Sequence, residues 1–351
     1  MVKRLNFILF FIDLILGVVM EKIAFKLKDP IKIVFSKNIV ALSIGNKLFC
    51  YNKEGILWNQ KLHATFYKDP YGDVTITALD ANENFVAVGT NFMDGKVHLY
   101  TTNGKLLWMH QFATIASLGW RPEDVTCLKL DKQFVMVGTE FMNEYFHMYT
   151  INRKRVFQKR VKGRVKDASL FNDKVIVGTD NNVHVFDVNG KELCRIDVPT
   201  KEINVVEDRI LVSNNYGVIV YKYAIDDEFS VEKYWSARLH DPIVCMAKKD
   251  VILSSEDLLN YISSNGEVVW QVTFDRDVKS VFYDDESEKI YVGLENNIKV
   301  YSSSGDELKT FKVDGEPLKI GKFGDSVVTL IREDSVVNLV KLQSKIKSKT
   351  K

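Results

Sequence analysis

Short alternating runs of β-branched and aromatic residues recur along the chain every 35 to 49 residues. They read "NIVALSIG" at 38–45, "NFVAVGT" at 84–90, "QFVMVGT" at 133–139 and "DKVIVGT" at 173–179, then "DRILVSN" at 208–214, "DVILSSE" at 250–256, "EKIYVGL" at 288–294 and "DSVVTLI" at 325–331. Each is followed by a second alternating run that often ends on an aromatic residue, as in "KVHLY", "YFHMY", "NVHVF" and "NIKVY". A polar turn comes next, commonly Asn-Gly or Ser-Gly, which is a hairpin signal because such turns need positive φ. A further strand then carries an apolar landmark in "GILW", "GKLLW" and "GEVVW", at Trp58, Trp108 and Trp270. Period-two patterning with no helical period gives four strands per unit.

Units of this kind stack radially, so the chain is expected to be all-β: an eight-bladed β-propeller of four-stranded antiparallel blades, with seven blades as the alternative. The last unit, 317–342, supplies three strands, and "EKIAFKL" at 21–27 stands alone. Joining the two is expected to complete the last blade and remove two sheet edges. All six prolines (Pro30, Pro70, Pro122, Pro199, Pro242, Pro317) are placed between units, where no ladder hydrogen bond is needed.

The repeats resemble the WD40-like and quinoprotein-like (PQQ-like) propeller families over nearly the whole chain. "NGKLLW" and "NGEVVW" are most similar to the tryptophan-docking repeats of the quinoprotein group, while the Gly-His and Trp-Asp dipeptides of WD40 repeats are absent. The quinoprotein resemblance would imply adjacent cysteines, a calcium site and a quinone cofactor in an oxidoreductase. The sequence has no adjacent cysteines, no phosphate-cradling glycine loop, no HExxH and no nucleophile elbow. The chain is therefore expected to be non-catalytic and to need no cofactor.

Composition agrees with a large packed domain, being 46% hydrophobic and 11% aromatic over 351 residues. A formal charge of +2 selects neither nucleic acid nor an acidic substrate at the level of the whole molecule. The domain is placed at 21–342, with a basic tail over 343–351. Residues 5–20 form an apolar run behind Lys3 and Arg4, interrupted by Asp13. It falls short of the roughly 20 residues of a membrane span. Two readings stand: a start at Met20 with a cytoplasmic protein, or a membrane anchor carrying an envelope-assembly propeller.

Three sets of residues invite a functional reading. His98, His147 and His184 occupy equivalent third-strand positions, but such positions diverge from blade to blade and cannot share one ion, so no metal is expected. Cys50, Cys127, Cys194 and Cys245 fall too far apart on this map to pair. The stretch "NRKRVFQKRVKGRVK" at 152–166 holds Arg153, Lys154, Arg155, Lys159, Arg160, Lys162, Arg164 and Lys166 with no acid. It is read as an edge strand guarded by charge, with nucleic acid or an anionic surface as the alternative.

Blades 1–3 break the regularity. Gly89 to His98 and Gly138 to His147 span nine positions, whereas Gly178 to His184 spans six. The additional residues put Phe92, Met93, Phe141 and Met142 in hairpin turns. Long aromatic crossovers bring Phe66, Tyr67, Tyr71 and Trp120 to the same face. This rim is the expected site for a protein or peptide partner, because apolar loop tips need burial.

Overall fold

The repeat pattern builds eight sheets, in a computed structural model that describes residues 13–14, 17–24, 29–63, 74–91, 93–116, 119–140, 144–225, 229–334 and 336–342. Seven antiparallel blades of four consecutive strands cover 31–61, 76–111, 124–160, 165–196, 202–238, 243–273 and 278–312. In blade 3, for example, the innermost strand is Asp124–Leu130, followed outward by Phe134–Glu140, Tyr145–Thr150 and Arg155–Arg160. The eighth blade takes Glu316–Phe323, Ser326–Glu333 and Val336–Leu342 from the end of the chain. Gly17–Ala24 pairs antiparallel with Val336–Leu342, Gly17 opposite Leu342 and Ala24 opposite Val336. This N-terminal strand thus begins four residues before the expected 21, and Asp13–Leu14 pairs on its far side. The remainder of the apolar run and the basic tail lie outside the described residues. No helix among the described residues is long and apolar enough to cross a membrane.

Apolar clusters sit between blades rather than within one sheet. One joins Ile33, Leu42 and Tyr51 of blade 1 to Phe323, Leu330 and Leu339 of blade 8. At about 1.5–3 kcal/mol per fully buried large side chain, these seams supply most of the force that holds the ring together. The glycine of each "VGT" lies in a strand of ordinary backbone, so its role is close approach. A Cβ on Gly138 would fall 2.4 Å from Cβ of Val165, on the innermost strand of the next blade.

A second device repeats at the periphery. In blades 1 to 7 the outer strand carries a β-bulge at one position: Leu57, Leu107, Val156, Leu193, Tyr234, Val269 and Leu308 are each skipped in the ladder. The bulge turns the following residue toward the next blade. Four of these are tryptophans whose indole N–H donates to a carbonyl there: Trp58 to Thr102 (2.8 Å), Trp108 to Ile151 (2.7 Å), Trp235 to Ser264 (3.3 Å) and Trp270 to Ser303 (2.9 Å). The rings of Trp58, Trp235 and Trp270 lie against Gly104, Gly266 and Gly305, and Phe157 against Gly190. Trp235 lacks the Gly-x-x-x-Trp spacing, because its blade has a longer hairpin, Gly217–Ile225 with Phe229–Arg238.

One proline placement needs correction. Pro317 is the second residue of an innermost strand, opposite Ile331 and beside a bulge that accommodates its missing donor. Pro122 pairs with Ala113 in a small ribbon between blades 2 and 3.

Candidate functional site

The expected rim is only partly within the described residues: Phe66, Tyr67, Tyr71, Phe92, Phe141 and Met142 lie outside them. The crossover from blade 2 to blade 3, expected as a long loop, is a two-stranded ribbon of Ala113–Ala116 and Gly119–Pro122, with Ile115 opposite Trp120. Met93 is 2% exposed and packs with Leu62, Val74 and Ile76 between blades 1 and 2. That residue belongs to the core and offers no contact surface. Beside it, Lys96 Nζ and Asp94 Oδ1 form a buried ion pair at 2.8 Å, with His98 Nε2 3.9 Å from the same carboxylate. The longer turn of blade 2 therefore closes over charge, which stays buried only because it is paired.

The three histidines sit in three separate blades with separate partners. His147 Nε2 is 3.2 Å from Thr139 Oγ1, and His184 Nδ1 is 2.9 Å from Glu192 Oε1. Burial drives the His147 imidazole down to about 3, helped by His110 and Arg155. Burial also lowers His184, against the opposing hydrogen bond that its ring donates to the Glu192 carboxylate. Among the described residues no three His, Cys, Asp or Glu side chains group as a metal site. The four cysteines are unpaired, and burial pushes the Cys50 and Cys245 thiols up to about 12, away from the reactive thiolate.

The ring encloses an open cavity of about 580 Å³ lined by innermost strands. Its walls are stitched by carboxylates that reach across blades. Asp167 accepts the Ala168 and Ile203 amides at 3.0 and 2.8 Å and meets Lys129 Nζ at 2.9 Å, so it ties blades 3, 4 and 5. Asp80 accepts the Leu130 amide at 2.7 Å, between blades 2 and 3, and burial raises its carboxyl. Sequence patterning did not single out these two aspartates, since an acid on an innermost strand looks like any solvated acid. The same walls carry Lys32, Lys166 and Lys319, for which no carboxylate lies within 4.0 Å among the described residues.

The outer edges differ sharply from blade to blade. Six of the seven bulge residues are aliphatic and the seventh is Tyr234, so partial exposure there is a property of the repeat. The residue before it separates the blades: Arg155, Glu192, Lys233 and Glu307 in blades 3, 4, 5 and 7, but Ile56 and Leu106 in blades 1 and 2, and Val268 in blade 6. Ile56, Leu57, Leu106, Leu107 and Met109 are 40–48% exposed. They belong to adjacent edges, since Trp58 docks on the turn that leads into Leu106. The eight cations of the basic stretch are all exposed, and Arg164 pairs with Glu140 at 3.1 Å.

These features define an eight-bladed β-propeller with a polar channel and unlike outer edges. No family model matches the chain, and no curated protein sequence matches it. Solved structures do. BamB from Moraxella catarrhalis is 14% identical with a TM-score of 0.65, covering 93% of this chain and 100% of its own. The C-terminal WD40 domain of Sif2 is 11% identical with a TM-score of 0.66, covering 94% and 99%. Sqt1 of Saccharomyces cerevisiae is 11% identical with a TM-score of 0.65, covering 90% and 98%. At these identities the likeness is one of fold.

Proposed function

We propose that this chain is a non-catalytic scaffold that binds a protein partner inside an assembly. The observation that carries the reading is the apolar patch on the outer edges of blades 1 and 2. An unpaired strand edge bearing exposed apolar side chains is a template for a further strand and needs cover. A partner segment in extended conformation supplies both backbone pairing and apolar burial. Of the expected rim, Phe66, Tyr67, Tyr71 and Trp120 lie on the crossovers that leave these edges, and together with Phe92, Phe141 and Met142 they are proposed as part of the same surface.

The test is capture of partners from native cells by the tagged chain, compared with an Ile56→Glu/Leu106→Lys variant. Loss of a specific partner with an unchanged melting temperature is the expected result. A Val268→Lys variant, on the far side of the ring, is expected to retain that partner. Equal recovery by all three proteins would reject the patch as the binding surface.

A further inference from the structure

The basic stretch and the channel lysines are parts of one feature. Arg155–Arg160 is the outer strand of blade 3, and 161–164 crosses to the innermost strand of blade 4, which begins at Val165. A crossover from outermost to innermost strand runs radially over one face of the ring. Lys159 and Arg160 therefore lie at its outer end, Lys162 and Arg164 along it, and Lys166 at its inner end, lining the channel. Lys166 is skipped in the ladder between Val165 and Asp167, a bulge that re-aims its side chain. Lys32 of blade 1 and Lys319 of blade 8 line the same cavity, and Lys32 lies within the field of both Lys319 and Arg164.

The acids nearby are already committed. Asp167 is held by Lys129 and two amides, Glu140 by Arg164, and Asp180 by the Arg164 amide at 2.9 Å. Lys201 is paired with Asp241 at 2.6 Å. Glu202, which also lines the cavity, is pushed by burial toward its neutral form, with Asp167 adding to the effect. What remains is a track of like charge, converging on a cavity where like charges repel and water is confined.

We infer that this track and the channel mouth bind an acidic, extended segment of a partner protein, its carboxylates meeting Lys166, Lys32 and Lys319. The site is distinct from the apolar edges of blades 1 and 2 and differs from them in ligand chemistry. Nucleic acid fits less well, because single strands are held by exposed aromatic stacking platforms as well as by cations. The track has one aromatic residue, Phe157, which is buried against Gly190, and no aromatic residue lines the cavity.

Fluorescence anisotropy on the full chain tests the inference, with a fluorescein-labelled decapeptide of alternating Glu and Asp and a labelled decauridylate as probes. The peptide is expected to bind at low salt and to weaken as salt is raised. A Lys32→Gln/Lys166→Gln/Lys319→Gln variant is expected to lose about tenfold or more in affinity, and Lys159→Gln/Arg160→Gln a smaller factor. A control exchanging Lys105, Lys191 and Lys309 for Gln holds net charge equal and is expected to bind as the original does. The channel variant relieves repulsion between cations, so its melting temperature is expected to hold. No peptide binding at low salt, equal loss in the control, or tighter binding of the decauridylate would each overturn the inference. Each of these outcomes is read independently of whether the apolar-edge variant keeps its cellular partner.

Discussion

The outer strands of blades 2 and 3, Leu106–Gln111 and Arg155–Arg160, occupy the same place in the ring with opposite chemistry. Both pair antiparallel with a third strand, and both carry the bulge at their second residue. Both bury the third residue in the next blade, Trp108 at 9% exposure and Phe157 at 7%. Around that fixed point, blade 2 displays Leu106, Leu107 and Met109, while blade 3 displays Arg155, Lys159 and Arg160. The ring keeps one bulged position per outer strand, followed by an aromatic residue in blades 1, 2, 3, 5 and 6 and by Cys194 and Lys309 in blades 4 and 7, and leaves the rest of the edge free. Charge blunts the blade 3 edge against pairing, and the blade 2 edge lacks that protection. Function is therefore to be sought where neighbouring blades disagree.

The largest effect belongs to what the two strands share. Trp108→Ala removes the Ile151 hydrogen bond and leaves a cavity at a blade seam, so it is expected to cost about 3–5 kcal/mol in urea unfolding. Phe157→Ala is expected to fall in the same range, since the seam and not the edge chemistry sets the loss. A loss below about 1 kcal/mol at either site would show that the seams are not held by docking.

The next comparison lies one strand inward. His98 faces the Asp94 carboxylate, whereas His147 faces Thr139 and feels the Arg155 cation of the basic edge. The folded-state value of His147, about 3, is below its ordinary 6.5, so the unfolded chain binds the extra proton between those limits. Stability is then full above about pH 6.5 and falls as pH drops toward 3, by about 2 kcal/mol at pH 5. His184 is shifted in the same direction and adds to the slope. Melting curves at pH 5 and 7 check this, and His147→Gln is expected to reduce the difference between them.

The repeat period, the strand count per blade and the turn glycines were all legible in the sequence, because each rests on local rules of period two and positive φ. Three of the four docked tryptophans were visible for the same reason. Trp235 escaped because its hairpin is longer and moves the turn away from the ring. The channel aspartates escaped because their role depends on partners 36 and 50 residues away, Ile203 and Leu130. The sequence pattern places Met93 at a loop tip, whereas it is buried, because a turn carrying an apolar side chain looks the same whether it points out or folds back. The exposed edge of blades 1 and 2 was written in "GILW" and "GKLLW" all along. Its meaning appears only when Arg155, Glu192, Lys233 and Glu307 are known to share the position of Ile56 and Leu106.

The smallest effect concerns the turns that precede the two strands. "TTNGK" of blade 2 places Gly104 at φ 88, and the matching "TINRK" of blade 3 places Arg153 at φ 68. A left-handed residue with a Cβ costs about 1–2 kcal/mol. Glycine there relieves that cost but frees the unfolded chain, which returns about 0.4–1 kcal/mol. Arg153→Gly is thus expected to stabilise by about 0.5–1 kcal/mol in urea unfolding. The reverse exchange, Gly104→Arg, meets both the backbone strain and the Trp58 ring, where a Cβ would sit 2.8 Å from Cγ. It is expected to destabilise by more than the other gains. If Arg153→Gly instead lowers stability, the arginine contributes contacts that outweigh its backbone strain, and the basic character of blade 3 would be structural at that position.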